Sequence, residues 1–198
     1  MRELSALAVV LLMGGGTVWY CFKTKKDKIT PSLTTWILFS VATSLSLATY
    51  IAGKNHNVIS NIGNASDVIF TSATLLFVWR SRNWDTQTST LNKWCLWAAG
   101  ATSLFWFITK DHDASNSIAQ IILLLGYLPM VRKLWISKEN TESAGVWTMF
   151  WLGSVASLFP AFTPESNVFA KIYAVRAVVC VSILILLILR LKLKEEKS

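Results

Sequence analysis

The sequence predicts an all-α integral membrane protein of seven transmembrane helices, built as two parallel three-helix bundles joined by an inverting fourth helix. Three observations lead there. Apolar residues make up 53% of the chain and collect into segments 4–22, 32–53, 58–79, 91–109, 115–135, 144–162 and 168–190. Most approach the ~20 residues that a helix needs to cross a bilayer core. Basic residues alternate from loop to loop. Residues 30–47 also slide without a gap onto residues 141–158, so that Thr30, Ser32, Trp36, Phe39, Ser46 and Leu47 fall on identical residues. Six matches in eighteen exceed what shared apolar composition gives, and they indicate a duplicated unit. The segments are helices because only helices and closed barrels satisfy their backbone in lipid. None shows the alternation of a barrel strand.

The net charge of +8 is topological. Lys23, Lys25, Lys26 and Lys28 follow the first segment, Arg80, Arg82 and Lys93 flank the third linker, and Arg132, Lys133 and Lys138 follow the fifth segment. Arg190, Lys192, Lys194 and Lys197 follow the last. The opposite loops hold only Arg2, Lys54, Lys110 and Lys171. By the positive-inside rule the N-terminus is outside and the C-terminus cytoplasmic. A nucleic-acid binder would gather its charge on one face, so no nucleic-acid partner is expected.

The first segment has Arg2, an apolar run and then Gly14, Gly15 and Gly16. The lysines after it and the lack of a small-residue cleavage site favour a retained helix over a secretory signal. Its glycines allow close approach of a neighbour or bending. Thr30-Pro31-Ser32 opens the second helix with hydroxyl caps and an early proline. In the third segment Asn57, Asn61, Asn64 and Asp67 recur at spacings of four, three and three, which stacks them on one helical face. A carboxylate inside a span faces the bundle interior or a wet cavity.

Residues 80–93 form the longest hydrophilic linker, and the fourth segment has no counterpart in the duplication. Three spans leave the chain on the wrong side for a parallel second copy, so one inverting helix is required. The units are residues 1–82, a linker helix within 83–112, and residues 113–198. Lys110-Asp111-His112-Asp113 reads as a solvated loop in preference to a metal site, and Asn116 and Gln120 enter the fifth helix at an i, i+4 spacing, able to face inward together. Gly126 stands opposite Gly15 in the repeat, with Pro129 as a bending point. In the last segment Lys171 is near enough to the outer end to snorkel. Arg176 is deeper and needs a partner, and Asp67 is the nearest charge of opposite sign. The two are expected to interact directly or through water. Most of the ten tryptophans, Trp19, Trp36, Trp79, Trp94, Trp135 and Trp147 among them, lie near segment ends as an interfacial belt. Cys21, Cys95 and Cys180 have no paired spacing and imply neither disulfide nor metal site.

Tyr127-Leu128-Pro129-Met130-Val131 before a basic stretch, with Ser143, Trp147 and Gly153 beyond it, resembles the PQ-loop signature of the SWEET and semiSWEET sugar transporters and their relatives. The resemblance implies the three-plus-one-plus-three topology of the full-length members. Met130 stands at the signature glutamine, and Val18-Trp19 replaces the Pro-Gln pair in the first copy. The family's sugar-contacting asparagine in helix three matches Asn61, whereas its place in helix seven falls near Lys171. A site with Lys171, Arg176 and Asp67 suits a polar, zwitterionic or anionic solute better than a neutral monosaccharide. Relatives that export amino acids with protons use an embedded aspartate, so the resemblance makes Asp67 a proton-carrier candidate.

The expected function is alternating-access transport of a small polar solute, sugar-like or amino-acid-like, at the interface of the two units. Asn61, Asn64 and Asp67 would face Lys171, Tyr173 and Arg176 across a cavity, with Gly15, Gly126 and Pro129 as hinges. A non-transporting receptor or cargo binder on the same scaffold, and a nicotinamide riboside-type vitamin transporter, are the competing readings. A retinal photoreceptor fits poorly, because Lys171 is too near its helix end and Asn167 replaces the expected aspartate. No nucleophile–base pair, metal-ligand spacing or phosphate loop points to an enzyme or cofactor. The expected setting is a bacterial plasma membrane, with the lipid bilayer and a small solute as partners and a homo-oligomer compatible with this reading.

Overall fold

The computed structural model describes residues 2–26, 29, 31–53, 56–81, 90–136 and 142–195, with the side chains at 91, 92, 129 and 195 outside that description. Lys28, Thr30, Lys54, Arg82, Lys138 and Lys197, named above, lie outside the described residues. Every element among them is helical: α1 (Arg2–Lys25), α2 (Leu33–Ala52), α3 (Ile62–Ser81), α4 (Thr90–Thr109), α5 (His112–Gly126), α6 (Leu128–Ile136), α7 (Ala144–Ala161) and α8 (Val168–Glu195). Among the described residues six helices are long and apolar enough to cross a membrane, counting α5 and α6 as one span. The chain is an integral membrane protein. The helix expected at 91–109 forms as α4, 20 residues long, outside those six.

Local chemistry sets the ends. Ser32 caps α2 by accepting from Thr35 N at 3.4 Å, and Asp111 caps α5 by accepting from Ala114 N at 3.0 Å. His112 faces Trp106, accepting its indole N–H at 2.8 Å. The fifth span, expected as one helix bending at Pro129, is interrupted at Tyr127. Pro129 has no N–H and its ring would clash with the Leu125 carbonyl one turn back, so the α-helical ladder stops and restarts there. Tyr127 N instead bonds Leu124 O at 3.2 Å. α1 passes through Gly14–Gly16 without a break.

α3 packs against both α1 and α2, and α8 packs against α5, α6 and α7. The two groups meet along α1–α7 and α2–α5, with α3 touching α7 and α8 more lightly. α4 lies on α2 and α5. The glycines of α1 serve close approach. A Cβ on Gly16 would stand 2.9 Å from Phe150 Cε1, and one on Gly15 would stand 2.8 Å from Met149 Cε. Across the other contact, a Cβ on Gly126 would meet Phe39 at 3.1 Å and Leu38 at 3.2 Å.

At the end of the bundle where α1 begins, Arg2 pairs with Glu165 of the α7–α8 turn and donates to Ser60 of the α2–α3 turn at 3.3 Å. Asn57 and Asn61 precede α3, so the expected four-residue polar face is shorter than its spacing implied. Asn57 folds the turn instead, its Oδ1 accepting from Ile59 N and Ser60 N.

Candidate functional site

A cavity of about 60 Å³ opens where α1, α2, α3, α5, α7 and α8 converge. That is room for a few waters, well below the ~300 Å³ at which drug-sized ligand pockets begin. Its polar centre is the set Asp67, Tyr173 and Arg176. Tyr173 donates its hydroxyl to Asp67 Oδ2 at 2.6 Å, and the Arg176 guanidinium lies over the Tyr173 ring, 4.5 Å from its centroid. Asp67 and Arg176 form no direct ion pair, since Arg2–Glu165 is the one pair among the described residues. Tyr173 stands between them instead, one edge on the acid and its face under the base.

Arg176 Nε donates to Gln120 Oε1 at 3.2 Å. From there a second polar layer runs outward. Gln120 Nε2 donates to Ser46 Oγ (2.8 Å) and to Asn116 Oδ1 (3.1 Å). Asn116 Nδ2 donates to Ser46 O (2.7 Å) and Thr49 Oγ1 (2.9 Å). In the amide orientation that pairs every atom, Asn64 Nδ2 donates to Thr43 O at 3.1 Å. Its Oδ1 then accepts from Leu47 N at 3.2 Å and Ser46 Oγ at 2.9 Å. Asn64 thus bridges one turn of the α2 backbone and is fully buried. Ser46 and Thr49 lie one to two turns beyond Thr43, the last α2 residue on the cavity, so this network closes the cavity towards the α2–α3 turn.

Of the residues expected in a site, Asp67, Tyr173 and Arg176 line the cavity, whereas Asn64, Asn116 and Gln120 form the layer beside it. Asn61 is buried before the start of α3, away from the cavity lining, and Lys171 sits 5.9 Å from the Phe162 ring centroid, also away from it. Gly15 and Gly126 are packing sites beneath Met149 and Phe39, and the backbone breaks beside Pro129.

The aromatic wall was misplaced from sequence. Trp36 and Trp147, read as interfacial belt, are 6% and 4% exposed and line the cavity. Trp79, Trp94 and Trp135 are exposed as a belt requires. The signal was present in the repeat: Trp36 and Phe39 fall on Trp147 and Phe150, an i, i+3 pair on one helical face. Both pairs pack edge-on, with centroids 6.3 Å and 5.6 Å apart. Thr43 and Ser154, also 111 positions apart, are on the same cavity. Trp147 turns its N–H away to Glu142 Oε2 at 3.0 Å. Burial pushes that carboxyl up, against the opposing pull of the Trp147 N–H and the Lys133 charge.

Comparison with protein-family models, curated proteins and solved structures gives no match to this chain.

Proposed function

We propose that the chain is an alternating-access transporter for a small polar solute, with two three-helix units, α1–α3 and α5–α8, rocking about the cavity between them. One observation carries this reading: a largely apolar cavity lined by both groups of helices, with a polar centre of Asp67 on one side and Tyr173 and Arg176 on the other. Ionisable groups inside a bilayer are costly, and their normal setting is a solute or ion path.

The packing supports the duplicated arrangement. Shifting the first group by 111 positions carries Gly15 beside Met149 onto Gly126 beside Leu38, and the Trp36–Phe39 pair onto Trp147–Phe150. The α1–α7 contact maps in the same way onto the α5–α2 contact. α4 is then the inverting linker. The alternating basic loops put the N-terminus outside, and the amide layer around Asn116 and Gln120 becomes the closed outer side. The break before Pro129 and the glycine-rich contact of α1 with α7 are the places where the units slide.

Flux in proteoliposomes tests the reading. Asp67→Asn is expected to lower uptake at least tenfold, and Asn61→Ala to leave it within about twofold, since Asn61 is off the cavity. Equal flux in wild type and Asp67→Asn sinks the assignment. Solute binding without any flux would move the chain to the receptor class.

A further inference from the structure

The protons of the cavity wall are unevenly distributed. Thr43 Oγ1 donates to Phe39 O (2.8 Å), Thr71 Oγ1 to Asp67 O (2.6 Å), Thr74 Oγ1 to Phe70 O (2.8 Å) and Ser154 Oγ to Phe150 O (2.9 Å). A hydroxyl bonded back to its own helix has its hydrogen engaged and presents only lone pairs to a ligand. Asp67 adds a further acceptor, because Tyr173 occupies Oδ2 and Oδ1 carries no hydrogen bond among the described residues. The Trp147 N–H is directed to Glu142.

Donors are concentrated elsewhere. Arg176 donates Nε to Gln120 and has a further side-chain hydrogen bond with Tyr127, so its forked end meets a phenol but no carboxylate within 4.0 Å among the described residues. That fork matches a carboxylate in two-point geometry. Thr17 is 6% exposed and lines the cavity, and its shielded Oγ1 has no hydrogen-bond partner among the described residues.

We propose that the solute is a small zwitterion carrying both a carboxylate and a primary ammonium, of the size of a short amino acid and admitted when the units part, since the closed cavity holds only a few waters. Its carboxylate meets the fork of Arg176, and its ammonium meets Asp67 Oδ1 and the oxygens of Thr43 and Thr71. A neutral polyol brings a donor and an acceptor at every hydroxyl, which matches neither the acceptor-rich side nor the two opposite charges. The inference rests on the transporter reading for the cavity's being the solute site, and concerns the ligand rather than its movement.

The test is thermal unfolding of the full chain in detergent with glycine, L-alanine or L-serine. L-alaninamide, N-acetyl-L-alanine and glucose serve as comparisons, since a ligand of the folded state raises the melting temperature. The zwitterions are expected to raise it, and compounds lacking either charged end to leave it unmoved. Arg176→Gln should weaken L-alanine binding roughly tenfold or more, the loss expected of a charged hydrogen bond. Should that variant fail to fold, Thr71→Val removes one acceptor at constant shape and should also weaken binding. A shift with glucose but none with the zwitterions overturns the proposal, as do equal shifts with alaninamide or N-acetylalanine, or no shift with any zwitterion. Radiolabelled L-alanine uptake separates the two readings. Binding without uptake upholds the zwitterion and removes transport, whereas glucose uptake alone removes the zwitterion and upholds transport.

Discussion

The two contacts that join the helix groups differ in what holds them. Along α2–α5 the adhesive is polar: Asn116 and Gln120 bond Ser46 and Thr49, with Asn64 of α3 inserted beside them. Along α1–α7 it is mainly steric, with Gly15 and Gly16 under Met149 and Phe150, Gly145 under Trp19, Gly153 against Met13, and one hydrogen bond from Ser5 Oγ to Ala156 O at 2.6 Å. Hydrogen bonds demand one geometry, whereas small-residue packing keeps its contacts through modest sliding. The cavity is therefore flanked by a hydrogen-bonded contact on one side and a mainly small-residue contact on the other, the asymmetry that the proposed rocking would use.

Five changes follow, the first three of which break or sharpen that contrast. Gly16→Leu has the largest expected effect, about 2 kcal/mol or more of lost stability in reversible detergent unfolding, because a Cβ alone already comes within 2.9 Å of Phe150. On the α2–α5 contact, Gly126→Ala is expected to change stability by less than about 0.5 kcal/mol. There the nearest atom is 3.1 Å away, and alanine's helix propensity offsets the crowding. Equal losses at the two glycines would erase the distinction between the contacts.

Asn116→Leu comes next, at about 1 kcal/mol, within the usual range for hydrogen bonds between membrane helices. A loss well below that in the same unfolding measurement would mean that the amide layer does not secure α2–α5. Arg2→Ala should cost about 0.5 kcal/mol and lose its effect at high salt, since its partner Glu165 is largely exposed.

Glu142→Gln is the smallest and depends on pH. Its folded carboxyl titrates above the ordinary range, chiefly from burial. The folded state therefore holds that proton more tightly than the unfolded chain does. Its contribution is fully present at low pH and is lost as pH rises through the raised value. Melting temperatures of wild type and variant should coincide in acid and separate in favour of the glutamine as pH increases. Parallel curves would show that Glu142 does not titrate in the fold.

Much of the architecture was legible in the order of residues. Apolar run length marked the helices to within a few positions at most ends, because a bilayer demands continuous apolar spans. The carboxylate at Asp67 announced an interior position, and Asn116 with Gln120 announced a shared inward face. Other expectations failed for local reasons. Asn61 was placed on a helix that begins one residue later, and Lys171 was assigned inward although its long side chain reaches the Phe162 ring. Trp36 and Trp147 were read by their nearness to span ends, a one-dimensional measure that does not tell which side of a helix faces a neighbour.

Composition and periodicity by themselves determined that this chain enters a membrane as helices and that residues 30–47 echo 141–158, since both depend on spacing along one strand of sequence. Which groups meet was decided only in three dimensions. That Tyr173 stands between Asp67 and Arg176, and that Thr17 Oγ1 is buried without a partner among the described residues, depends on the angles at which α1, α3 and α8 converge. Those angles come from side chains fitting between helices distant in sequence, and no single segment encodes them.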